Sequence, residues 1–349
     1  MPAAPPSFSP LPAADGTRGL ACLIVLIVHS TSFHWPRMSP MLSGGGKYGV
    51  WLFFVLSAFL LTLRLQQRGF SAVSLLDYAL GRILRILPLF TLACLLYYWA
   101  GVGIQNTDQL HAALTFEQGF IHLWTIPVEF KFYLLLPPLA WAGLCLKRRL
   151  GNAAVLLAGI ALLVLQQSIW PYWQTPENST DTRWYLPSFL FGILAALLLP
   201  YLRSLPRTRL ATPFALFTLL VLLLALPGSR LWLFNTPLSG ELLDKHLYLG
   251  LMWACFTGLL LEGHGLVGRL LCSRPLAFLG IVSYSTYLFH WLILTTLAGH
   301  WPGHMATFLI GIFLSIVVGA AGHYLAERPL ENLRKRLMAQ IRKPRYLRQ

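Results

Sequence analysis

Arg18 and His29 stand eleven residues apart in a run that is otherwise almost wholly apolar. At about 100° per residue, eleven helical steps return both side chains to nearly one face, roughly 16 Å apart along the axis. A guanidinium at one end of such a stripe and an imidazole at the other suit a long substrate with an anionic head and a reactive tail. Coenzyme A thioesters have that shape. An imidazole, with an ordinary pKa of about 6.5, accepts a proton at neutral pH, so His29 reads as a general base or, by direct attack of the same nitrogen, a nucleophile.

Three further segments carry polar groups where apolar ones are expected. In GRILRILP, Arg82 and Arg85 lie one turn apart ahead of Pro88, a geometry that suits phosphate oxygens and equally suits membrane anchoring. In HLWTIPVEFKFYLL, His122 and Glu129 are seven residues apart and share a helical face if Pro127 leaves the axis straight. Glu129 reads either as a functional carboxylate or as the partner of Lys131; His122 and Trp124 mark the outer interface, where a sugar could meet an aromatic face. In SYSTYLFHW, Ser283 and His290 again stand seven apart, with Tyr287 one turn before His290. The hydroxyls there bind substrate or bridge helices.

The elements that must position these groups are set by composition. Of 349 residues, 56% are hydrophobic and 11% are charged. Soluble proteins carry about 25% charge, so most of this exterior must face lipid. An all-α integral membrane protein is predicted, with ten spans near 17–35, 47–65, 84–103, 120–146, 152–172, 184–202, 210–227, 246–262, 275–298 and 305–325. Of the 27 Lys and Arg, 21 fall on one set of sides and five on the other, with Lys131 inside a span. Basic residues mark cytoplasmic sides, which predicts that both termini are cytoplasmic; the expected location is the cell's inner (cytoplasmic) membrane. The expected organisation is a short segment 1–16 without features of a cleaved signal peptide, a transmembrane domain 17–329, and a basic tail 330–349 lying on anionic headgroups. The net charge of +15 is spread over loops between apolar runs, which argues against nucleic acid as a partner. The five cysteines match no disulfide or metal pattern, and no metal site is expected.

In these segments the chain resembles the acyltransferase-3 family of membrane O-acyltransferases. The pieces stand in family order: DGTRGLACLIVLIVH at 15–29, GVWLFFVLSAFLL at 49–61, RILR at 82–85, WTIPVEFKFYLL at 124–135, SYSTYLFHW at 283–291 and ERP at 327–329. The resemblance implies an essential His29 with Arg18, a paired Arg82 and Arg85 at the donor, and a functional Glu129. Asp15, Ser57 and Tyr133 lie in the same motifs and join His122, Trp124, Ser283, Tyr287 and His290 as acceptor-binding or supporting residues. It further implies transfer of an acyl group, usually acetyl, from cytoplasmic acyl-CoA to a hydroxyl of a surface glycan, with acyl-CoA as co-substrate and no permanently bound cofactor. Trp51, Ala58 and Phe130 depart from the usual acidic residue, Gly and second Glu, which bears on acceptor and acyl identity. The hydrolase-like extracytoplasmic domain fused to some members is not expected after ERP, so transfer is expected either to be completed by this membrane domain or to be handed to a separate partner protein. Glu129 is open to two roles, orienting His29 or binding acceptor. A transporter or flippase of a small metabolite or lipid-linked glycan is the alternative reading.

Overall fold

The computed structural model describes residues 11–238 and 241–342; most of the N-terminal segment (1–10) and the tail residues Lys343, Arg345 and Arg348 lie outside the described residues. The described chain is helical, with no strand. Its helices are α1 (Ala14–His34), α2 (Lys47–Arg68), α3 (Ala72–Trp99), α4 (Thr107–Leu114), α5 (Thr125–Ile169), α6 (Thr182–Leu197), the single turn α7 (Leu199–Leu202), α8 (Arg207–Ala225), α9 (Pro227–Phe234), α10 (His246–Leu260), α11 (Gly265–Leu271), α12 (Arg274–His300), α13 (Met305–Gly322) and α14 (Arg328–Arg342).

Among the described residues, seven stretches are long and apolar enough to cross a bilayer, or eight if α10 and α11, which meet at an 85° bend, count as one. The difference from ten has local causes. The expected spans 120–146 and 152–172 both fall on α5, continuous except at Gly151, where φ 83° and ψ −172° interrupt the helix. Glycine takes that conformation without steric cost. α6 has 16 residues and α10 has 15. At about 1.5 Å per residue, neither alone covers a hydrocarbon core of roughly 30 Å.

Two backbone contacts fix α1 against α12. A Cβ placed on Gly19 would lie 2.0 Å from the Leu276 carbonyl oxygen, and one on Gly280 would lie 1.7 Å from that of Asp15. Small residues let helices approach this closely in lipid, where dispersion and not water exclusion drives packing. The same crossing carries His29 of α1 alongside His290 of α12. α2 runs through the centre of the bundle, with Trp51, Leu52, Phe54, Val55 and Phe59 almost fully buried.

α3 begins at Ala72, well before the expected 84, because Ser71 caps it: the Ser74 N–H donates to Ser71 Oγ at 3.3 Å. Arg82 and Arg85 therefore sit inside a long helix and not at its start. The extra turns carry Asp77, a buried carboxylate that accepts from Arg68 and Arg334, with Arg64 3.9 Å away. Arg334 belongs to the tail. The tail was expected to rest on lipid headgroups, but its described part is the helix α14, continuous with α13 through a π-turn at His323–Glu327. Arg334 is 4% exposed and also donates to Glu331, so α14 is docked on α3.

Two stability outcomes follow. Gly280→Leu drives a side chain into the α1 backbone and should cost roughly 3 kcal/mol or more, read as a lowered thermal midpoint of the purified protein. Asp77→Ala leaves the Arg334 guanidinium without its buried carboxylate, a loss of about 3–5 kcal/mol. Adding Arg334→Met to Asp77→Ala should recover part of that loss in the same melting experiment.

Candidate active site

Three cavities follow one another through the bundle and share walls. A mouth of about 460 Å³ lies among Arg64, Arg82, Arg85, Glu327, Arg328, Glu331 and Lys335. An inner cavity of about 220 Å³ shares Arg64, Arg82 and Arg85 with it and adds Arg18, Ser57, Glu129, Tyr133, Ser283 and Tyr287. An outer cavity of about 440 Å³ holds His29, Gly46, Lys47, His122, Trp124, Glu177 and Trp291. Val50 and Tyr287 line both the inner and the outer cavity and stand between them.

The inner cavity is strongly basic. Four guanidinium groups face one carboxylate, Glu129. Arg18 pairs with Asp15 at 3.0 Å, whereas Arg82 and Arg85 make no hydrogen bond or ion pair among the described residues. Arg82 instead lies over the Tyr133 ring, 5.5 Å from its centroid. Planar guanidinium groups with free N–H donors are the groups that bind phosphate oxygens in forked geometry. Glu129 accepts hydrogen bonds from Ser57 Oγ and from the Tyr133 hydroxyl. It does not pair with Lys131, whose Nζ donates to the carbonyls of Phe116 (3.0 Å) and Thr180 (3.3 Å). Ser283 spends its hydroxyl on its own helix, donating to Gly280 O at 2.8 Å.

The expected face shared by His122 and Glu129 does not form. Helix α5 starts at Thr125, and Ile121, with φ 49°, turns the chain just before it. Pro127 falls in the first turn, where a missing N–H costs nothing. It starts the helix without kinking it. His122 thus leaves Glu129 in the inner cavity and reaches the outer one.

There His122, His29 and His290 come together. His29 Nδ1 is 2.9 Å from His290 Nε2, and the two rings are within 5° of coplanar. His290 Nδ1 is 2.7 Å from the Tyr287 carbonyl oxygen. A carbonyl only accepts, so His290 carries its proton on Nδ1, and in the neutral ring its Nε2 is an acceptor. His29 must then donate from Nδ1, which leaves the Nε2 lone pair of His29 unused. That nitrogen points at Gly46, where a Cβ would lie 2.8 Å away. The glycine keeps it uncovered. Trp291 closes the other side, edge-on to His29 at 4.9 Å and stacked on His122 at 5.5 Å.

Tyr287 ties the partition together. Its hydroxyl donates to the His122 carbonyl at 2.7 Å and accepts from Thr125 Oγ1 at 3.0 Å. Glu129, expected either to orient His29 or to bind acceptor, does not touch His29, whereas His290, expected among the acceptor-binding or supporting residues, does. Arg18 and His29 do project from one stripe of α1, but into adjoining cavities. Lys47, Gly46, Arg64 and Trp291 were not singled out from the sequence. Trp291 ends the SYSTYLFHW segment, and Gly46 closes the Gly44–Gly46 run, a signal of close backbone approach; Lys47 and Arg64 looked like ordinary flanking charges.

The sequence model of the acyltransferase-3 family, described as an acyltransferase domain, matches residues 11–324. The chain is similar to a Bacillus subtilis (strain 168) protein provisionally named peptidoglycan O-acetyltransferase YrhL, 28% identical over 328 aligned positions, covering 80% of this chain and 48% of that one. It is also similar to O-acetyltransferase OatA of Staphylococcus aureus (strain NCTC 8325 / PS 47), 25% identical over 379 positions, covering 93% of this chain and 58% of OatA. The chain therefore spans about half the length of the curated relatives it matches. No solved structure matches it. With a family match over nearly its whole length and several apolar helices able to cross a bilayer, the chain belongs to the acyltransferase-3 family of multi-pass membrane proteins.

Proposed function

We propose that this protein is a membrane O-acetyltransferase that takes an acetyl group from cytoplasmic acyl-CoA and places it on a hydroxyl of an extracytoplasmic glycan. The observation that carries the reading is the unprotonated Nε2 of His29, held open to the outer cavity by its bond to His290. The names of the relatives, both O-acetyltransferases and one of peptidoglycan, support the acceptor class, and family membership favours acyl transfer over transport. The inner membrane is the proposed site, with both termini cytoplasmic and ten crossings counted by adding α6, α10 and both limbs of α5. Lys147, Arg148 and Arg149 just before the Gly151 break suit a cytoplasmic corner. An extracytoplasmic partner protein is compatible with the relatives' greater length.

In this scheme the donor's phosphates lie with Arg82 and Arg85, and with Arg18 beside Asp15, while its thioester arm runs toward Val50 and Tyr287. Glu129, bonded to Ser57 and Tyr133, balances the arginines on the donor side. The acceptor hydroxyl occupies the outer cavity. His29 Nε2 removes its proton as the oxygen attacks the thioester carbonyl, and the resulting imidazolium returns that proton to the departing thiolate. His290 keeps His29 in the required tautomer, and His122 and Trp124 face the sugar. Should Nε2 attack the thioester directly, an acyl-imidazole forms first and the hydroxyl then displaces the imidazole.

The test is acetyl transfer by the full chain in lipid nanodiscs, with radiolabelled acetyl-CoA and glycan fragments. His29→Ala should lower kcat by about 10²–10⁴ with donor KM nearly unchanged; wild-type turnover in a folded His29→Ala protein would overturn the scheme. His290→Phe, which removes the acceptor for the His29 proton, should lower kcat by about tenfold or more, again without moving donor KM. Arg82→Gln with Arg85→Gln should do the reverse, raising donor KM by about tenfold or more while leaving kcat at saturation within a few fold.

A further inference from the structure

Lys47 opens α2 directly after the glycine run that uncovers His29. It is 9% exposed, and its Nζ makes no hydrogen bond and no ion pair among the described residues. It lies over the Trp124 ring, 5.1 Å from Nζ to centroid. An ammonium group has three donors and no acceptor, and burying it without a hydrogen-bonding or charged partner is strongly unfavourable. Two carboxylates act on Lys47 from a distance without pairing with it: Glu177, on the exposed rim of the same cavity beyond ion-pair distance, and Asp244, which pairs with Lys245 at 3.4 Å.

The walls around Lys47 are complementary in kind. His122 points its Nε2 at the Leu288 carbonyl, 3.3 Å away, so its Nδ1 is left as an unpartnered acceptor. His29 Nε2 is the second such acceptor, beside Gly46. One buried cation and two ring-nitrogen lone pairs thus border one cavity of about 440 Å³. The lone pairs suit hydroxyl groups; the cation requires an anion. The arginines suited to a donor's phosphates line the other cavities, so the missing anion belongs to the acceptor.

We propose that Lys47 is an acceptor-specificity residue and that the acceptor is an acidic glycan, with a sugar carboxylate near the hydroxyl that receives the acyl group. This rests on the acyltransferase reading above and adds the charge of its acceptor. A glycan phosphodiester offers the same charge, and the experiment separates the two sources.

The full chain in nanodiscs would be given acetyl-CoA and one of three acceptors: a uronic-acid oligosaccharide, the same oligosaccharide with its carboxyls reduced to alcohols, or a phosphodiester-bearing oligosaccharide. The wild type should show a KM at least tenfold lower for the uronate than for its reduced form. Lys47→Met should erase that difference by raising the uronate KM, with kcat, donor KM and turnover of the reduced acceptor unchanged; Lys47→Arg should retain most of it. Lys47→Gln serves the same purpose should the Met variant fold poorly, with donor KM as the check on folding. Equal use of uronate and reduced acceptor by the wild type, or an equal loss on both in Lys47→Met, overturns the assignment. A preference for the phosphodiester alone overturns the carboxylate. Absence of both transfer and acetyl-CoA hydrolysis would overturn the acyltransferase reading itself, and the Lys47 assignment with it.

Discussion

The Nδ1 proton of His29 has one acceptor, Nε2 of His290, and that bond exists only because α1 and α12 touch backbone to backbone. Were the two helices a normal side-chain layer apart, the imidazoles could not reach each other, and the tautomer of His29 would not be set. The glycines at 19 and 280 are therefore as much a part of the site as the histidines. The direction of the proton chain is fixed at its far end by the Tyr287 carbonyl, a backbone group that cannot donate. A helix contact, a carbonyl and two rings together decide which nitrogen of His29 is free.

That nitrogen faces the outer of two adjoining chemical environments. On one side four arginines surround a single carboxylate; on the other, aromatic rings, a glycine turn and one lysine line a larger space. Tyr287 belongs to both, and its hydroxyl holds the turn that carries His122. The helix starting at Thr125 explains the division. It places Glu129 one turn inside, with Ser57 and Tyr133, while the turn before it sends His122 outward. Two polar residues seven apart thus serve different cavities.

The sequence was most informative where a single helix holds both members of a pattern. The Arg18–His29 stripe, the Arg82–Arg85 pair and the SYSTYLFHW segment could be read because helical geometry alone relates their members, and each reaches a cavity. What could not be read depended on contacts across the chain. The bond between His29 and His290 joins residues 261 positions apart, and nothing in either segment names the other. Lys47 looked like a flanking charge because its burial is made by Trp124 and the surrounding loops. The start of α3 was misplaced since an apolar window stops at Asp77 and Arg82, charges whose partners lie in other elements. Likewise the tail read as a surface charge run, because the carboxylate that buries Arg334 is 257 residues away. Counting spans by hydropathy assumes that each apolar run is a separate straight rod; α5, with its break at Gly151, and the short α6 and α10 do not fit that assumption.

The partition at Val50 and Tyr287 has an electrical consequence. A protein that opens aqueous chambers from both faces of an energised membrane risks short-circuiting it, since sodium ions or protons would follow any continuous water path. Here the inner chamber is ringed by fixed positive charge, which repels small cations in the way an arginine constriction does in a selective pore. Beyond it, Val50 and Tyr287 stand between the two chambers. The same guanidinium groups that suit a polyphosphate thus also oppose the passage of a hydrated cation.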